Sequence, residues 1–246
     1  MSTDSNQNPR ALARGVVKRL VCLIAATCSA SCTSCKITCQ PPDPTPQVFD
    51  FIDYFGGKKS ASGIVFAGGA EASRWNLVNL TPNSAKNQWG GSTGSDEHWV
   101  WDDQYLYNPG WWGNGTYYQN VTTRTVLTMN GVETVLATSG PQIYALRKSN
   151  TSYKLVSDLV ITEQSSGIVI HARHTQWFSP SYLSNNGYMT VQAVAMRETW
   201  EDDNQHPFAL QLDRTVEYGR GVGPAYRVTQ TFPTPWSAAL KESTGV

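Results

Sequence analysis

The chain of 246 residues has no cysteine after position 39. Its five cysteines, Cys22, Cys28, Cys32, Cys35 and Cys39, all precede the first strand-like stretch. Disulfide bonds therefore cannot staple the main domain, which has to be held together by an ordinary apolar core. The hydrophobic content of 40% and the aromatic content of 11% are sufficient for such a core.

Charged residues are scarce as well, at 15% of the chain against roughly 25% in an average soluble domain. Residues 1–40 have five basic residues and one acidic residue, whereas residues 41–246 have 14 basic and 18 acidic residues. A mildly acidic domain lacks the positive excess that neutralises phosphates, so we expect no nucleic-acid binding. No P-loop, dinucleotide, nucleophile-elbow or zincin motif occurs, and we expect no cofactor and no metal.

Long apolar runs are missing too. The run Leu20–Ala26 is far shorter than the roughly 20 residues that span a bilayer. It follows Arg14, Lys18 and Arg19 and precedes a stretch of small residues, which is typical of a secretory signal peptide. The sequence therefore predicts a leader over residues 1–30 and a protein that is secreted or belongs to the cell envelope.

Two of the cysteines are candidates for lipid attachment. Bacterial lipoproteins are cut just before a cysteine that follows an apolar run and small residues, and Cys28 and Cys32 both lie in such a position. A lipid anchor there is the only membrane contact we expect, and simple secretion with cleavage after Ala30 is the alternative. Residues 31–47 contain Cys32, Cys35 and Cys39 and several prolines, and the prolines favour an extended, stiff tether.

Residues 48–246 are expected to form a single β domain, because β-branched and aromatic stretches alternate with turn formers. Asn130-Gly131 is the sharpest hairpin signal, since this pair readily adopts a type I′ turn. We expect an antiparallel barrel of lipocalin-like shape or a β-sandwich of about 10–12 strands. The stretch Asp96–Asp103 and the leader resemble small bacterial lipoproteins of that shape over a few residues. Predicted strands are Gly63–Ala67, Arg74–Leu80, Glu97–Asp102, Thr116–Thr122, Thr125–Met129, Glu133–Thr138, Gln142–Arg147, Tyr153–Thr162, Gly167–Thr175, Tyr188–Glu198, Phe208–Tyr218 and Tyr226–Thr231.

Alternation along the predicted strands separates their faces. Between Phe208 and Tyr218, one face is apolar except for Arg214 and the other is polar. In the predicted strand 167–175, His171 and Arg173 lie on one face and His174 on the other. The pattern is that of an antiparallel sheet with one packed face and one polar face.

Aromatic residues are concentrated between positions 99 and 118. Adjacent Trp111 and Trp112 lie in a predicted loop over residues 108–115 and are flanked by glycines, so they cannot both point into one core from a regular strand. At least one of them is expected on a loop surface or folded across a barrel end. Indole faces beside carboxylates and amides are typical of carbohydrate recognition, and the alternative is that these rings fill the core. We therefore expect carbohydrate or another small ligand as the partner. The predicted ligand-binding residues are Trp99, Trp101, Asp102, Tyr105, Tyr107, Trp111 and Trp112.

A second possibility is an extracellular enzyme that acts on glycans, as hydrolase or lyase. His171 and Arg173 on a concave sheet face, with Asp213 or Glu217 as carboxylate, are its candidate catalytic residues. An ordinary solvated strand face is the simpler interpretation of the same residues. A third possibility is an interaction module of the cell envelope without chemistry of its own.

Overall fold

The computed structural model describes residues 48–55, 61–67, 70–90, 95–113, 115–203 and 211–244. Over these ranges the chain forms seventeen strands and one short helix. The predicted leader, tether and lipid-attachment cysteines, residues 1–47, lie outside the described residues. In chain order the elements are β1 (Phe49–Asp50), α1 (Phe51–Phe55), β2 (Ala61–Ala67), β3 (Ala70–Thr81), β4 (Ser84–Gly90), β5 (Ser95–Trp101), β6 (Tyr105–Gly113), β7 (Thr116–Met129), β8 (Val132–Ala137), β9 (Gln142–Leu146), β10 (Lys148–Ser149), β11 (Tyr153–Glu163), β12 (Val169–Phe178), β13 (Tyr182–Asn185), β14 (Thr190–Asp202), β15 (Leu212–Gly219), β16 (Gly223–Phe232) and β17 (Trp236–Thr244).

Twelve antiparallel strands close into a barrel, which confirms the predicted all-β class and the barrel alternative. The strand order around the barrel is β7-β11-β12-β14-β15-β16-β17-β2-β3-β4-β5-β6, and β6 pairs with β7 to complete the circle. The hairpin signal at Asn130-Gly131 is also confirmed, because both residues have positive φ values, 53° and 77°, and join β7 to β8.

The predicted loop over residues 108–115 is wrong at most of its positions, since β6 runs through Gly113 and pairs with β5 and β7. Gly110 permits this pairing, because a Cβ atom there would overlap the carbonyl oxygen of Tyr118 and lie 2.6 Å from the Tyr117 hydroxyl. The turn formers Asn108-Pro109-Gly110 thus belong to β6, whose backbone lies unusually close to that of β7 at Gly110.

One end of the barrel is filled by α1. Phe51 packs edge-on against Phe178 and Tyr218, Phe55 packs against Trp99, and the Gly221 amide donates to the Asp53 carbonyl oxygen at 3.0 Å. Each fully buried aromatic ring of this kind contributes about 1.5–3 kcal/mol through removal from water. The apolar stretch that forms this plug consists of β1 followed directly by α1.

Two apolar clusters fill different levels of the interior. The larger surrounds α1, and the smaller, Tyr118, Leu159, Ile161, Ile170 and Ala172, lies towards the opposite end. We call that opposite end the far end; it has the turn between β11 and β12. Side chains that are polar yet buried lie between the two clusters.

Candidate binding site in the barrel interior

A ring of polar side chains, the polar layer, faces the barrel interior from eight strands. Their inward direction follows from strand alternation, because they share a face with buried apolar residues such as Ala172, Phe178 and Val216. The members of the polar layer are Asn87, Glu97, Asn108, Asn120, Gln142, His174, Gln176, Glu198 and Arg214. Burying a polar group costs free energy of folding unless the group is hydrogen-bonded. The hydrogen-bond partners of these side chains therefore show which groups are satisfied and which remain available to a ligand.

A continuous hydrogen-bond chain crosses the layer. Asn120 Nδ2 donates to Gln142 Oε1 at 3.2 Å, so Gln142 Nε2 is left to donate to His174 Nδ1 at 2.5 Å. The imidazole proton therefore lies on Nε2, which donates to Glu198 Oε2 at 2.7 Å. The other carboxylate oxygen of Glu198 accepts from Arg214 Nε. The chain is polarised in one direction and ends on an ion pair.

The charges in this chain are fixed by its surroundings. Burial lowers the pKa of His174 and outweighs the opposing effect of Glu198, so the imidazole is neutral. Burial alone would raise the pKa of Glu198, but Arg214 and His174 together lower it to about 2. The pKa of Arg214 is raised, because Glu198 outweighs the effect of burial. At neutral pH the chain thus contains one carboxylate, one guanidinium and one neutral imidazole.

Arg214 is the solvent-accessible end of the hydrogen-bond chain. Its side chain is 32% exposed, whereas Glu198 is 1% exposed. No hydrogen bond joins its terminal nitrogens, Nη1 and Nη2, to another residue that the structure describes. Glu97, which accepts from Asn87 Nδ2 at 3.2 Å, is close enough to raise the pKa of Arg214 further. The guanidinium is held by Glu198 and keeps donors available to the interior.

Besides Trp75 Nε1, four further polar atoms of the interior are buried without a partner among the described residues. One is a donor, the indole nitrogen Nε1 of Trp99. Three are side-chain oxygens, those of Asn87, Asn120 and Gln176. Buried groups of this kind are ordinarily satisfied by protein, by ordered water or by a ligand. The interior therefore offers both donors and acceptors to a polar guest.

Aromatic rings flank the polar layer at the far end. Trp200 stacks on His174, with ring centroids 3.9 Å apart and planes 16° apart, and its Nε1 donates to Glu198 at 3.4 Å. Trp111 stacks on Tyr118, with centroids 5.1 Å apart and planes 11° apart. Both tryptophans remain partly exposed. They form flat apolar faces beside Arg214 and the polar layer.

The predicted ligand residues divide between different places. Trp99 and Trp101 are buried in the apolar core, Trp111 faces the interior, and Trp112 is 44% exposed on the outer wall. The adjacent tryptophans thus point to opposite sides of one strand, which is the ordinary consequence of period-two alternation.

Asp102, Tyr105 and Tyr107 lie at the end of the barrel that α1 fills. Asp102 accepts from the backbone amide of Tyr105 at 2.8 Å and from the Tyr107 hydroxyl at 2.7 Å. Burial would raise the pKa of Asp102, but these hydrogen bonds lower it. Arg147 donates to the Asp102 carbonyl oxygen and pairs with Asp50 at 2.6 Å. The group ties the β5–β6 turn to β1.

The candidate catalytic residues do not lie on a concave face. His171 and Arg173 are exposed on the outer wall, where Arg173 pairs with Asp158 at 2.8 Å. Asp213 also faces outwards and pairs with Arg197 at 2.9 Å. Glu217 is covered by β13 and contacts Ser184 and Arg227. The neighbouring inward positions, occupied by His174 and Arg214, line the barrel interior instead.

His174, Glu198, Arg214 and Gln142 were not among the predicted site residues, although one signal pointed to them. Arg214 interrupts an otherwise apolar strand face, and His174 shares a face with Ile170. A polar residue on a face that is otherwise packed is more informative than a polar residue on a polar face.

Among the described residues, no group of three or more histidine, cysteine, aspartate or glutamate side chains is arranged to hold a metal ion. None of the helical structure in the described part of the chain has the length and apolar character to cross a membrane. Comparison with known protein families, with curated proteins and with solved structures finds no match to this chain.

Proposed function

We propose that the barrel binds a small polar ligand of carbohydrate type in its interior, from the far end down to the polar layer beside Arg214. The observation that carries this proposal is the set of buried polar atoms that have no partner among the described residues, Trp99 Nε1 and the side-chain oxygens of Asn87, Asn120 and Gln176. A ligand that satisfies them removes a desolvation cost of about 1–3 kcal/mol per group.

The chemistry of the site matches hydroxyl groups. A sugar hydroxyl both donates and accepts, so it suits a wall that presents Arg214 donors and amide oxygens together. Trp111 and Trp200 supply flat faces for the apolar side of a sugar ring, and each gives a large rigid contact at low entropic cost. Barrel mouths are a usual place for such ligands. Of the predicted ligand residues, Trp99, Trp101 and Trp111 lie in the interior, and Trp99 and Trp111 are nearest to the polar layer and the far end.

The hydrogen-bond chain in the interior favours ligand binding over proton transfer. Both ring nitrogens of His174 are engaged, Nδ1 by Gln142 and Nε2 by Glu198. A pKa of about 2 leaves Glu198 without a proton to donate at neutral pH and makes it a weak base. These two groups therefore hold Arg214 in position rather than act as acid and base. The basic-apolar leader supports secretion or a cell-envelope location as the setting.

The test is a calorimetric titration of the purified protein with a panel of neutral and acidic monosaccharides and disaccharides. We expect saturable binding to at least one sugar, weakened tenfold or more in Trp111→Ala, which corresponds to about 1.4 kcal/mol. Trp177→Ala is the matched control, because Trp177 is exposed on the outer wall of β12. Absence of binding across the panel, or equal loss in both variants, would overturn the proposal.

A further inference from the structure

A row of polar side chains crosses the outer wall of the barrel on neighbouring strands β2 to β6. The register pairs Ser62 with Asn76, Asn76 with Gln88, Gln88 with Asp96, and Asp96 with Trp112. Residues paired in this way lie on the same face of the sheet. The face is the outer one, because Asn76 and Trp112 are exposed whereas Trp75 and Leu77 are buried.

The first four residues of this row, Ser62, Asn76, Gln88 and Asp96, line a groove, and Trp112 lies next to Asp96 beyond it. A cavity of about 560 Å³ lies over these four residues. A groove of that volume is within the range of small-molecule sites. We call it the outer groove, and its lining residues are Ser62, Gly63, Ile64, Arg74, Trp75, Asn76, Gln88, Asp96, Glu242 and Ser243.

The length of the row suits a linear ligand. Neighbouring strands lie about 4.8 Å apart, so the four steps from Ser62 to Trp112 span about 19 Å. Amide and hydroxyl side chains occupy the first three positions, a carboxylate the fourth and an indole the last. A repeated polar floor that ends on an aromatic ring matches a chain of hydroxyl-bearing units.

The charges of the outer groove do not favour an anionic polymer. Asp96 is paired with Lys86 at 2.5 Å, and the other two charged lining residues, Arg74 and Glu242, have opposite signs. A groove for phosphate or sulfate groups would need an excess of cationic side chains, which these residues do not supply. The balance fits an uncharged ligand.

The aromatic end of the row continues onto β7. The rings of Trp112 and Tyr117 lie 5.3 Å apart, and Tyr117 lies 5.8 Å from His98. Burial and the nearby Lys86 lower the pKa of His98, which keeps its ring neutral beside Tyr117. The end of the row is thus an uncharged aromatic surface that is open to solvent.

We propose that the outer groove is a second binding site, separate from the barrel interior, for a linear neutral oligosaccharide. Sugar units lie along Asn76, Gln88 and Asp96, and the terminal unit stacks on Trp112. The interior site lies on the other face of the same wall, so the two sites fail independently.

The test uses a glycan array with linear neutral gluco-, manno- and xylo-oligosaccharides of increasing length, followed by calorimetry on the ligands that bind. We expect affinity to rise with chain length. Trp112→Ala and the double variant Asn76→Ala/Gln88→Ala are expected to weaken binding tenfold or more. Trp177→Ala and Gln164→Ala are the controls, because both side chains are exposed elsewhere on the barrel.

Trp111→Ala distinguishes the two sites. Oligosaccharide binding that survives Trp111→Ala and is lost in Trp112→Ala supports the outer groove whether or not the interior binds a sugar. Binding that is unchanged in Trp112→Ala and in the double variant overturns it. So does a lack of binding to every neutral oligosaccharide of the array. All these substitutions except Trp111→Ala change residues of the outer wall or of the β11–β12 turn, and circular dichroism verifies that each variant keeps the β fold.

Discussion

Glu198 shows how a buried charge is accommodated in this barrel. Its carboxylate is 1% exposed and contacts His174 and Arg214, and Trp200 donates to it as well. Breaking a buried ion pair by removing one partner generally costs about 3–5 kcal/mol, because the other charge is left uncompensated. Such a group is retained at a price in desolvation, and here it fixes the direction in which Arg214 presents its terminal nitrogens.

The titrating groups of the buried hydrogen-bond chain predict how the free energy of unfolding depends on pH. The pKa of His174 is lowered on folding, so the unfolded chain binds the proton more readily. The stability from neutral His174 is therefore complete above its unfolded pKa of about 6.5 and is lost as pH falls through the folded pKa. Glu198, with a folded pKa of about 2, is expected to lose its contribution at lower pH, from about 4.3 downwards.

We expect His174→Gln to remove the upper part of this pH dependence, since glutamine can accept from Gln142 and donate to Glu198 without titrating. Urea unfolding between pH 8 and pH 4 measures the effect. His171→Gln is the matched control, because His171 is an exposed histidine of the same strand. His98, whose pKa is also lowered, leaves a smaller residual slope in both variants. A His174→Gln profile that coincides with the wild-type profile would contradict this account.

At the residue scale, alternation in the sequence correctly predicts which side chains share a strand face. It does not predict which of the two faces lines the barrel interior. His171 and Arg173 do share a face, and His174 does point the other way, as alternation predicts. Alternation cannot say which face becomes the interior when both contain polar residues. That choice depends on strand closure, which brings His174, Glu198 and Arg214 together from β12, β14 and β15.

At the element scale, β6 is the strand that its own residue types do not predict. Asn108, Pro109 and Gly110 are turn formers, and they predict a loop. In the structure β6 pairs with β5 on one side and with β9 and β7 on the other. A strand fixed mainly by its neighbours along the sheet leaves little trace in its own sequence. The Asn130-Gly131 turn is the opposite case, because its φ values are a property of the two residues themselves.

Closure of the barrel through β6 predicts a contrast between two glycines. Gly110→Ala is expected to destabilise the protein by about 1–3 kcal/mol, the usual cost of overpacking, because its Cβ meets the backbone of Tyr118. In Gly113→Ala the Cβ lies 3.7 Å from Trp111, an ordinary contact, so little change is expected. Thermal unfolding measures both, and equal stability of the two variants would show that close approach at Gly110 does not limit closure.

At the scale of the whole molecule, the barrel was one of two architectures that the sequence allowed. Turn spacing and alternation indicate the number of strands, but strand order depends on long-range pairing such as that of β17 with β2. Closure of the sheet also produces the barrel interior, and the polar layer lies in this interior between two apolar clusters. Its position explains why a cluster of charged and amide groups arises from strands that are distant in the chain.

The central claim is that the interior is a binding site, and the indole signals of the nine tryptophans test it directly. In a nitrogen–proton correlation spectrum, titration with a sugar that binds is expected to shift the indole signals of Trp99 and Trp111. The signal of Trp177 should remain in place. Trp99→Phe and Trp111→Phe assign the two signals. Saturable binding that leaves the signals of both Trp99 and Trp111 unmoved would contradict the claim.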